Sequence, residues 1–420
     1  MSCSTVSIGD EDAAASADVN IALMSHEAAT RAGLPKRAWR TGGAVLMACA
    51  AGVAARQAPP IVPPIAAVRP IEPPAKPLPP ESATVGVTKF SFIAYGDTRC
   101  DCIVGPSNEV QTAHAQLVGV MIEKINALAS TPDAIRFIVQ SGDAVFRGQD
   151  AERWNDAFAP IVERLTKDAG VPYFFSVGNH DVTGMPPGDP GRALGLHNTL
   201  TAISKLIPSE GSPRRLSGYP TYAFGYGNSF FITLDSNIAS DTIQLAWVTD
   251  ELDHLDRSRY TNIFAFFHHP LFSTGPHGGA QVPTPENPHP PDRVEPSTLA
   301  MRTLYAPLFR KHHVRMTFAG HDHLFDHWVE TYVDSGRTYR RDDVVTGGGG
   351  APIYVFSGEP DLRAYLAGGA QQQVHVRHVA RPGPKPADNP HHFLIVHVNR
   401  ARVAFDVIAM GVMSATAGPR

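Results

Sequence analysis

The sequence predicts a layered α/β fold, and two observations carry this prediction. Apolar stretches of strand length recur along the chain, and each is followed by a turn that carries polar side chains. The early stretches are separated by His114–Ser130 and Ala151–Asp168, where apolar residues recur at helical spacing. Strands that alternate with helices are typical of layered α/β proteins. At 43% hydrophobic residues, this chain of 420 residues can bury a large core.

The N-terminal residues differ in composition from the rest of the chain. Residues 1–35 are rich in alanine and serine without clear periodicity, which predicts a disordered leader. In residues 36–58, basic residues precede a short apolar run and small residues, so this segment predicts an export signal and a periplasmic or secreted protein. The apolar run is shorter than the ~20 residues that a membrane span needs. Lipoprotein anchoring at Cys49 is not expected, because little apolar sequence precedes that residue.

Residues 59–84 are dense in proline, and such segments favour extended conformations that act as stiff linkers. The sequence therefore predicts a globular domain over residues 85–412 and a tail over 413–420. A net charge of −4 without runs of lysine or arginine argues against a general nucleic-acid or anionic-membrane binder. The four cysteines form neither a disulfide framework nor a zinc-finger spacing.

Five of the strand-like stretches end in side chains that can bind metals. Each motif alone is more often an ordinary turn, but ligands in α/β sheets gather beyond the carboxyl ends of the strands. Five strand ends could therefore deliver their side chains to one place. In an extended segment, residues two apart point to the same side, which lets the last two histidines act together. The side chains are Asp97, Asp143, the run Asn179-His180-Asp181, the pair His268-His269, and His321 with His323.

These residue types suit a pair of divalent cations. Two ions about 3.5–4 Å apart can clamp a phosphoryl group and polarise a hydroxide for in-line attack. A bridging carboxylate suits Asp143, and Asn179 adds a neutral oxygen that limits negative charge where a phosphate must bind. Imidazole suits Zn and Fe, and oxygen ligands extend the choice to Mn. His180 is placed to protonate the leaving oxygen, and Asp181 is expected to orient its ring.

The order Gly-Asp, Gly-Asp, Gly-Asn-His-Asp, His-x-Pro, Gly-His-x-His resembles the calcineurin-like metallophosphoesterase superfamily, which includes the purple acid phosphatases. The resemblance covers Lys89 to about Ala409. It implies a four-layer sandwich of two mixed β-sheets flanked by helices, and a dinuclear centre of Mn, Zn or Fe. It also implies hydrolysis of small phosphoric monoesters or diesters. The charge pattern and the short apolar run predict no stable nucleic-acid partner and no transmembrane span. By this resemblance one metal takes Asp97, Asp143 and His323, and the other takes Asp143, Asn179, His268 and His321, with His180 as the leaving-group or phosphate-contacting histidine.

The sequence departs from the family pattern at two positions. Arg99 stands where many members have a histidine ligand, and a guanidinium has no lone pair to offer a metal. Purple acid phosphatases instead place a tyrosinate where this chain has Phe146, so the first metal is one ligand short by either template. We expect Arg99 to contact substrate phosphate, although it could also point outward and pair with a surface acid. Water or Cys100 could complete the site, and Cys100 and Cys102 could instead be oxidised or free.

Two hypotheses of different class follow from these observations. The first is a metal-dependent phosphoesterase, which Asn179, His180 and Asp181 favour. The second is a degenerate member that binds metal or phosphate without turnover, which the missing ligand would permit. The long proline-rich loop Ser273–Ser297 is expected to overhang the site. The stretch His391–Ala409 predicts a β-hairpin that closes the second sheet.

Overall fold

The structure is a computed structural model, and it describes residues 4–8, 67–100, 110–182, 190–279, 283, 285, 288, 294–413 and 416–417. The predicted export signal, residues 36–58, lies outside the described residues. None of the helices in the described part of the chain combines the length and the apolar character needed to cross a membrane.

The secondary structure alternates between strands and helices over much of the described chain. The strands are β1 (Ser4–Ile8), β2 (Lys89–Tyr95), β3 (Ile135–Gln140), β4 (Tyr173–Phe175), β5 (Tyr222–Tyr226), β6 (Ser229–Thr233), β7 (Asn262–Phe266), β8 (Met316–Ala319), β9 (Phe325–Asp334), β10 (Arg337–Thr346), β11 (His375–Arg381), β12 (His392–Asn399), β13 (Arg402–Ala409) and β14 (Thr416–Ala417). The α-helices are α1 (Thr112–Leu128), α2 (Ala159–Glu163), α3 (Asn179–Val182), α4 (Pro190–Ala202), α5 (Thr242–Asp253), α6 (Pro296–Ala300), α7 (Ala306–Lys311) and α8 (Arg363–Gly368).

Shorter helical turns extend or connect these helices. The π-helical turns Arg153–Phe158 and Arg164–Asp168 flank α2, so the helical pattern predicted over Ala151–Asp168 is confirmed as one continuous helical stretch. A third π-helical turn, Met301–Tyr305, joins α6 to α7. The 3-10 turns are Glu81–Thr84, Ser236–Ile238, Ala370–Gln372 and Pro386–Asp388.

Both sheets are mixed, as predicted. The first has the order β1-β13-β12-β2-β3-β4, with β2, β3 and β4 parallel and β12 antiparallel to β2. The second has the order β14-β11-β9-β10-β8-β7-β6-β5, with a parallel centre formed by β6, β7, β8 and β10. The parallel strands carry their carboxyl ends to the same edge of each sheet, and the polar turns lie there.

The two sheets pack face to face through aromatic side chains. Phe92 on β2 lies 5.1–5.7 Å from the rings of Phe231, Phe264 and Phe318 on β6, β7 and β8. The alternation of a strand turns Tyr95 to the opposite side, where its hydroxyl bonds to His114 of α1 at 3.0 Å. The first sheet therefore has the second sheet on one face and helices on the other.

The outer face of the second sheet is also covered by helices. Phe267, just after β7, stacks on Phe309 of α7 at 6.0 Å, and Val248 and Leu252 of α5 are buried in the same apolar cluster. The layers thus run helix, sheet, sheet, helix. The predicted four-layer sandwich of two mixed sheets is confirmed.

The prediction of a linker over residues 59–84 is wrong from residue 67 onward. Val68 and Ile71 are buried in the main core, and the N–H of Ile71 donates to the carbonyl of Ala202 at 2.8 Å. The N–H of Ala75 likewise donates to Thr166 at 2.8 Å. An extended proline-rich segment keeps apolar side chains and free N–H groups between its prolines, and here both dock on the domain.

The disordered leader predicted for residues 1–35 is wrong for β1. This strand pairs antiparallel with β13, from Ser4 opposite Ala409 to Ile8 opposite Phe405. Its residues include β-branched Thr5, Val6 and Ile8, which suit a strand that extends a sheet edge. Signal cleavage near residue 58, as predicted from the sequence, would remove this strand.

The C-terminal hairpin is confirmed, but its place in the fold is not the predicted one. β12 and β13 pair antiparallel down to Asn399 opposite Arg402. β12 then pairs with β2, so the hairpin extends the first sheet rather than closing the second. In the predicted tail, β14 adds to the second sheet beside β11.

Candidate metal centre

The six predicted metal ligands come from the carboxyl ends of five strands. Asp97 follows β2, Asp143 follows β3, Asn179 follows β4, His268 follows β7, and His321 and His323 follow β8. All are buried except the half-buried Asn179. The structure therefore brings together every ligand that the sequence predicted.

The backbone at the ligands adopts a conformation that side chains rarely take. Asp97, Asp143 and His321 have φ angles of +60°, +56° and +70°, in the left-handed region. Two glycines make room for the carboxylates: a Cβ on Gly178 would lie 2.1 Å from Asp143 Oδ1, and one on Gly320 would lie 2.1 Å from Asp97 Oδ2. Such backbone strain concentrates at functional sites, and it explains the glycines in the motifs.

Four ligand atoms converge at what we call the second-metal position. His268 Nε2 lies 2.9 Å from Asn179 Oδ1, 3.2 Å from His321 Nδ1 and 3.3 Å from Asp143 Oδ1. His321 Nδ1 lies 3.1 Å from Asn179 Oδ1. Ligand atoms about 2.1 Å from one ion and at right angles to each other lie about 3 Å apart, so the spacing fits a bound cation.

The other ring nitrogens show where the imidazole protons lie. His268 Nδ1 donates to the carbonyl of Ser141 at 3.0 Å, and His321 Nε2 donates to the carboxylate of Glu295 at 2.9 Å. Burial lowers the pKa of His268 to about 4, so this ring is neutral. The nitrogen of His268 that faces Asn179 therefore carries a lone pair. It meets the oxygen lone pairs of Asn179 and Asp143, and these atoms repel one another unless a cation lies between them.

The first-metal position, between Asp97, Asp143 and His323, lies beside the second-metal position and differs from it because an arginine side chain points into it. His323 Nδ1 donates to the carbonyl of Pro352 at 2.7 Å, which leaves a lone pair on Nε2, 3.6 Å from Asp97 Oδ1. Arg99 points into this position: its Nη2 lies 3.4 Å from His323 Nε2 and its Nε lies 3.5 Å from Asp143 Oδ2. The alternative that Arg99 points outward to a surface acid is therefore wrong.

The two central carboxylates differ in their affinity for protons. Burial, together with the nearby charge of Asp143, raises the pKa of Asp97 well above its ordinary value. Burial acts on Asp143 as well, but His268, His180 and Arg99 outweigh it and hold the pKa of Asp143 below its ordinary value. Asp143 is thus the carboxylate that carries negative charge between the two metal positions.

His180 lies next to this carboxylate. Its N–H donates to Asp143 Oδ1 at 3.0 Å, and its ring Nδ1 donates to the carbonyl of Phe146 at 2.7 Å. The Phe146 carbonyl therefore orients the ring, and Nε2 is the nitrogen left for a substrate.

The predicted role of Asp181 as the group that orients this ring is wrong. Its Oδ2 accepts hydrogen bonds from the N–H groups of Asp143 at 2.9 Å and Gly178 at 2.7 Å, and its Oδ1 accepts from Ala144 at 2.9 Å. A buried carboxylate needs several donors, and the turn after β3 supplies them. Asp181 therefore ties together the two turns that present Asp143 and Asn179.

Sequence reasoning missed Glu295 as part of the site. Its carboxylate accepts from His277 Nδ1 at 2.8 Å and from His321 Nε2 at 2.9 Å. Glu295 also forms a group with His269 and His321, whose possible ligand atoms all lie within 4.8 Å of one another. In the sequence, the indication of this role was the position of Glu295 near the end of the long loop Ser273–Ser297. The described ends of that loop reach the site.

Tyr354 is another residue of the site that the sequence did not predict. Its ring stacks on that of His323 with centroids 4.1 Å apart and planes 17° apart. A cavity of about 580 Å³ has Cys100, Gly350 and Pro352 among its lining residues.

Cys100 is disulfide-bonded, and the other three cysteines lie outside the described residues. Cys100 is therefore neither a free thiol nor a thiolate ligand.

Comparison with known proteins identifies the class. The family model of the calcineurin-like phosphoesterases matches residues 113–325, about half of the chain. A purple acid phosphatase from yellow lupin (Lupinus luteus) seeds is 16% identical with a TM-score of 0.47, and the match covers 75% of this chain and 50% of that one. A dimetal phosphatase from Danio rerio is 15% identical with a TM-score of 0.45, covering 79% and 100%. GAP50, the anchor in the inner membrane complex of Plasmodium, is 14% identical with a TM-score of 0.44, covering 79% and 89%.

The chain belongs to the calcineurin-like phosphoesterase family. This is a family of phosphoric ester hydrolases, the class that the sequence resemblance implied. The chain spans about half the length of the lupin protein.

Proposed function

We propose that this protein hydrolyses small phosphoric monoesters or diesters with a divalent ion held by Asp143, Asn179, His268 and His321. One observation carries the proposal: the ligand atoms of these four residues converge at about 3 Å spacing, which fits the surroundings of one cation. Imidazole and oxygen ligands suit Mn, Zn or Fe. When bound, such an ion polarises phosphoryl oxygens and activates water.

The protein's own residues supply the remaining chemistry. With both ring nitrogens protonated, His180 donates its Nε2 proton to the leaving oxygen, while its Nδ1–H stays on the Phe146 carbonyl and keeps the ring oriented. The guanidinium of Arg99 offers paired N–H donors to the phosphate oxygens, a task that suits its planar fork. Asp181 acts on the backbone and holds Asp143 and Asn179 in register.

The predicted dinuclear centre fits only in part. The residues at the second-metal position fit an ion directly. An ion at the first-metal position, between Asp97, Asp143 and His323, requires the Arg99 guanidinium to leave that space. The chemistry proposed here therefore depends on one ion.

The function is tested with a panel of aryl phosphate monoesters and diesters assayed with added Mn or Zn. We expect turnover that a chelator abolishes and fresh metal restores. His268→Ala should lose both the ion and the activity. His254→Ala, which changes an exposed histidine just after the C-terminal end of α5, should lose neither. Failure of the whole panel by protein shown to hold its metal would refute the proposal.

A second candidate is a degenerate member that binds metal or phosphate without turnover. The observation that favours it is the inward position of Arg99, which contacts two atoms expected to bind a metal. The half-buried His180, placed beside Asp143, favours the enzyme. Phosphate binding measured by calorimetry, together with the substrate panel, separates the two: binding without turnover supports the second candidate.

We also propose export, which rests on the sequence of residues 36–58 alone. N-terminal sequencing of the protein from periplasmic and culture fractions tests it. Cleavage near Ala55 or Ala58 is expected, and an uncleaved chain confined to the cytoplasm would contradict it.

A further inference from the structure

The side chain of Arg99 lies between two atoms that the family pattern assigns to the first metal. Its Nη2 is 3.4 Å from His323 Nε2, and its Nε is 3.5 Å from Asp143 Oδ2. The Nδ1 proton of His323 goes to Pro352, so the Nε2 lone pair is the group that Arg99 faces. A metal and a guanidinium N–H would compete for that same lone pair.

The backbone holds Arg99 in this place. The N–H groups of Thr98 and Arg99 both donate to the carbonyl of Asp143, at 2.9 and 3.1 Å. The next residue, Cys100, is fixed by a disulfide. Arg99 is 8% exposed, so its side chain has little room to swing into solvent. The arginine is thus anchored from the same turn that presents the bridging carboxylate.

Phe146, the second departure from the family pattern, is in contact with Arg99, the first departure. The guanidinium carbon of Arg99 lies 5.4 Å from the ring centroid of Phe146, within the range of a cation–π contact. Phe146 stands where purple acid phosphatases are expected to have a metal-bound tyrosinate. Its ring offers a cation an aromatic face and offers a metal no ligand atom. The two substitutions are therefore parts of one arrangement that accommodates a guanidinium.

The charges are consistent with this arrangement. Arg99 stays protonated at any accessible pH, so it brings a permanent positive charge next to the carboxylates of Asp97 and Asp143. A divalent ion placed in the same space would face a buried like charge at a few ångströms, where solvent screens little.

We propose that the Arg99 guanidinium takes the place of the first metal ion, so that the centre holds one ion, at the second-metal position. The arginine then supplies the positive charge and the phosphate contacts that the first ion supplies in a dinuclear centre. This inference rests on the metal-binding part of the proposed function, and the experiment below separates the two.

The test is the metal content of the purified protein after chelation, reloading with Mn and removal of free ions. We expect about one ion per chain in the wild type and about two in Arg99→His, which restores the ligand type of many relatives. Arg99→Lys keeps a charge but not a ligand, and should stay near one. Arg153→Gln is the matched control, because Arg153 lies 5.4 Å from the same Phe146 ring but is paired with Asp150. Electron paramagnetic resonance adds an independent readout: isolated Mn(II) in the wild type and a coupled pair in Arg99→His.

A second pair of variants keeps the test decisive if the Arg99 variants fold poorly. His323→Ala should leave the single ion in place, whereas His268→Ala should remove it. Two ions in the wild type, with one lost in His323→Ala, would overturn the inference and leave the proposed function standing. A wild type that binds no ion after reloading would overturn both.

Discussion

The two sides of the metal centre meet at Asp143, whose two carboxylate oxygens face different neighbours. Oδ1 lies 3.3 Å from His268 Nε2, in the group of lone-pair atoms at the second-metal position. Oδ2 lies 3.5 Å from Arg99 Nε, at the first-metal position. On one side the protein assembles ligands for a cation, and on the other it supplies a cation of its own.

The difference shows that a metal-binding motif can be retained while the charges around it are rearranged. Asp97 and His323 are still in place at the first-metal position, as the motif predicts. One substitution, Arg99, changes what these ligands face. The number of ions therefore depends on a residue outside the retained motif, and each prediction below perturbs one side of the centre.

The largest effect is expected for Asp143→Asn, because this carboxylate serves both sides. We expect loss of the bound ion and a fall in kcat/KM of about 10⁴-fold, since an ion at such a site contributes several kcal/mol to transition-state stabilisation. Metal analysis and steady-state kinetics on the same preparation measure both. A variant with near-normal rate and metal content would show that Asp143 does not join the two sides.

The next effect concerns His180, which we propose contacts substrate without holding metal. His180→Ala should keep the ion and slow turnover by roughly 10²–10⁴-fold, the usual range for a general acid. The loss should shrink for aryl phosphates with good leaving groups, which need little protonation. If the loss is the same across leaving groups, His180 instead contacts the phosphate.

Glu295 provides a test of metal affinity at the second-metal position. Glu295→Gln removes the carboxylate that fixes the Nε2 proton of His321, so we expect metal affinity to fall about 10–100-fold. Isothermal titration with Zn measures this change. Glu359→Gln is the control, since Glu359 bonds to His378 elsewhere in the fold. Equal losses in the two variants would mean that the effect is not local to the site.

His378 provides a contrast to His268, whose pKa is lowered by burial. Burial opposes its charge, but Asp326 and Glu359 outweigh burial and raise the pKa of His378 to about 9. The folded-state pKa lies above the unfolded value of about 6.5, so protonation stabilises the fold fully below pH ~6.5, and this stabilisation is lost as pH rises through about 9. The free energy of unfolding of the wild type, relative to His378→Gln, should therefore fall by ~3 kcal/mol between pH 6 and pH 10. Denaturant melts at several pH values measure it, and a constant difference would contradict the assignment.

Much of the site could be predicted because its ligands lie in short local motifs at strand ends. The Gly-Asp and Gly-His turns place Asp97, Asp143 and His321 in left-handed conformations next to the strands that precede them. The position of each ligand therefore depends mainly on its own turn and on the parallel order of the strands.

The failed predictions concern contacts between distant segments. Glu295 reaches His321 from a loop that carries no motif, and Tyr354 reaches His323 from another. Asp181 follows His180 in the chain, but its carboxylate turns away to the N–H groups after β3. The proline-rich segment docks through Ile71 because the folded domain offers the carbonyl of Ala202. None of these partners can be read from local sequence.

The most direct test of a one-ion centre is anomalous X-ray diffraction from crystals of the protein loaded with Zn or Mn. We expect one anomalous peak, among Asp143, Asn179, His268 and His321, with the Arg99 guanidinium still beside His323. Two peaks about 3.5–4 Å apart, with Arg99 displaced, would contradict it.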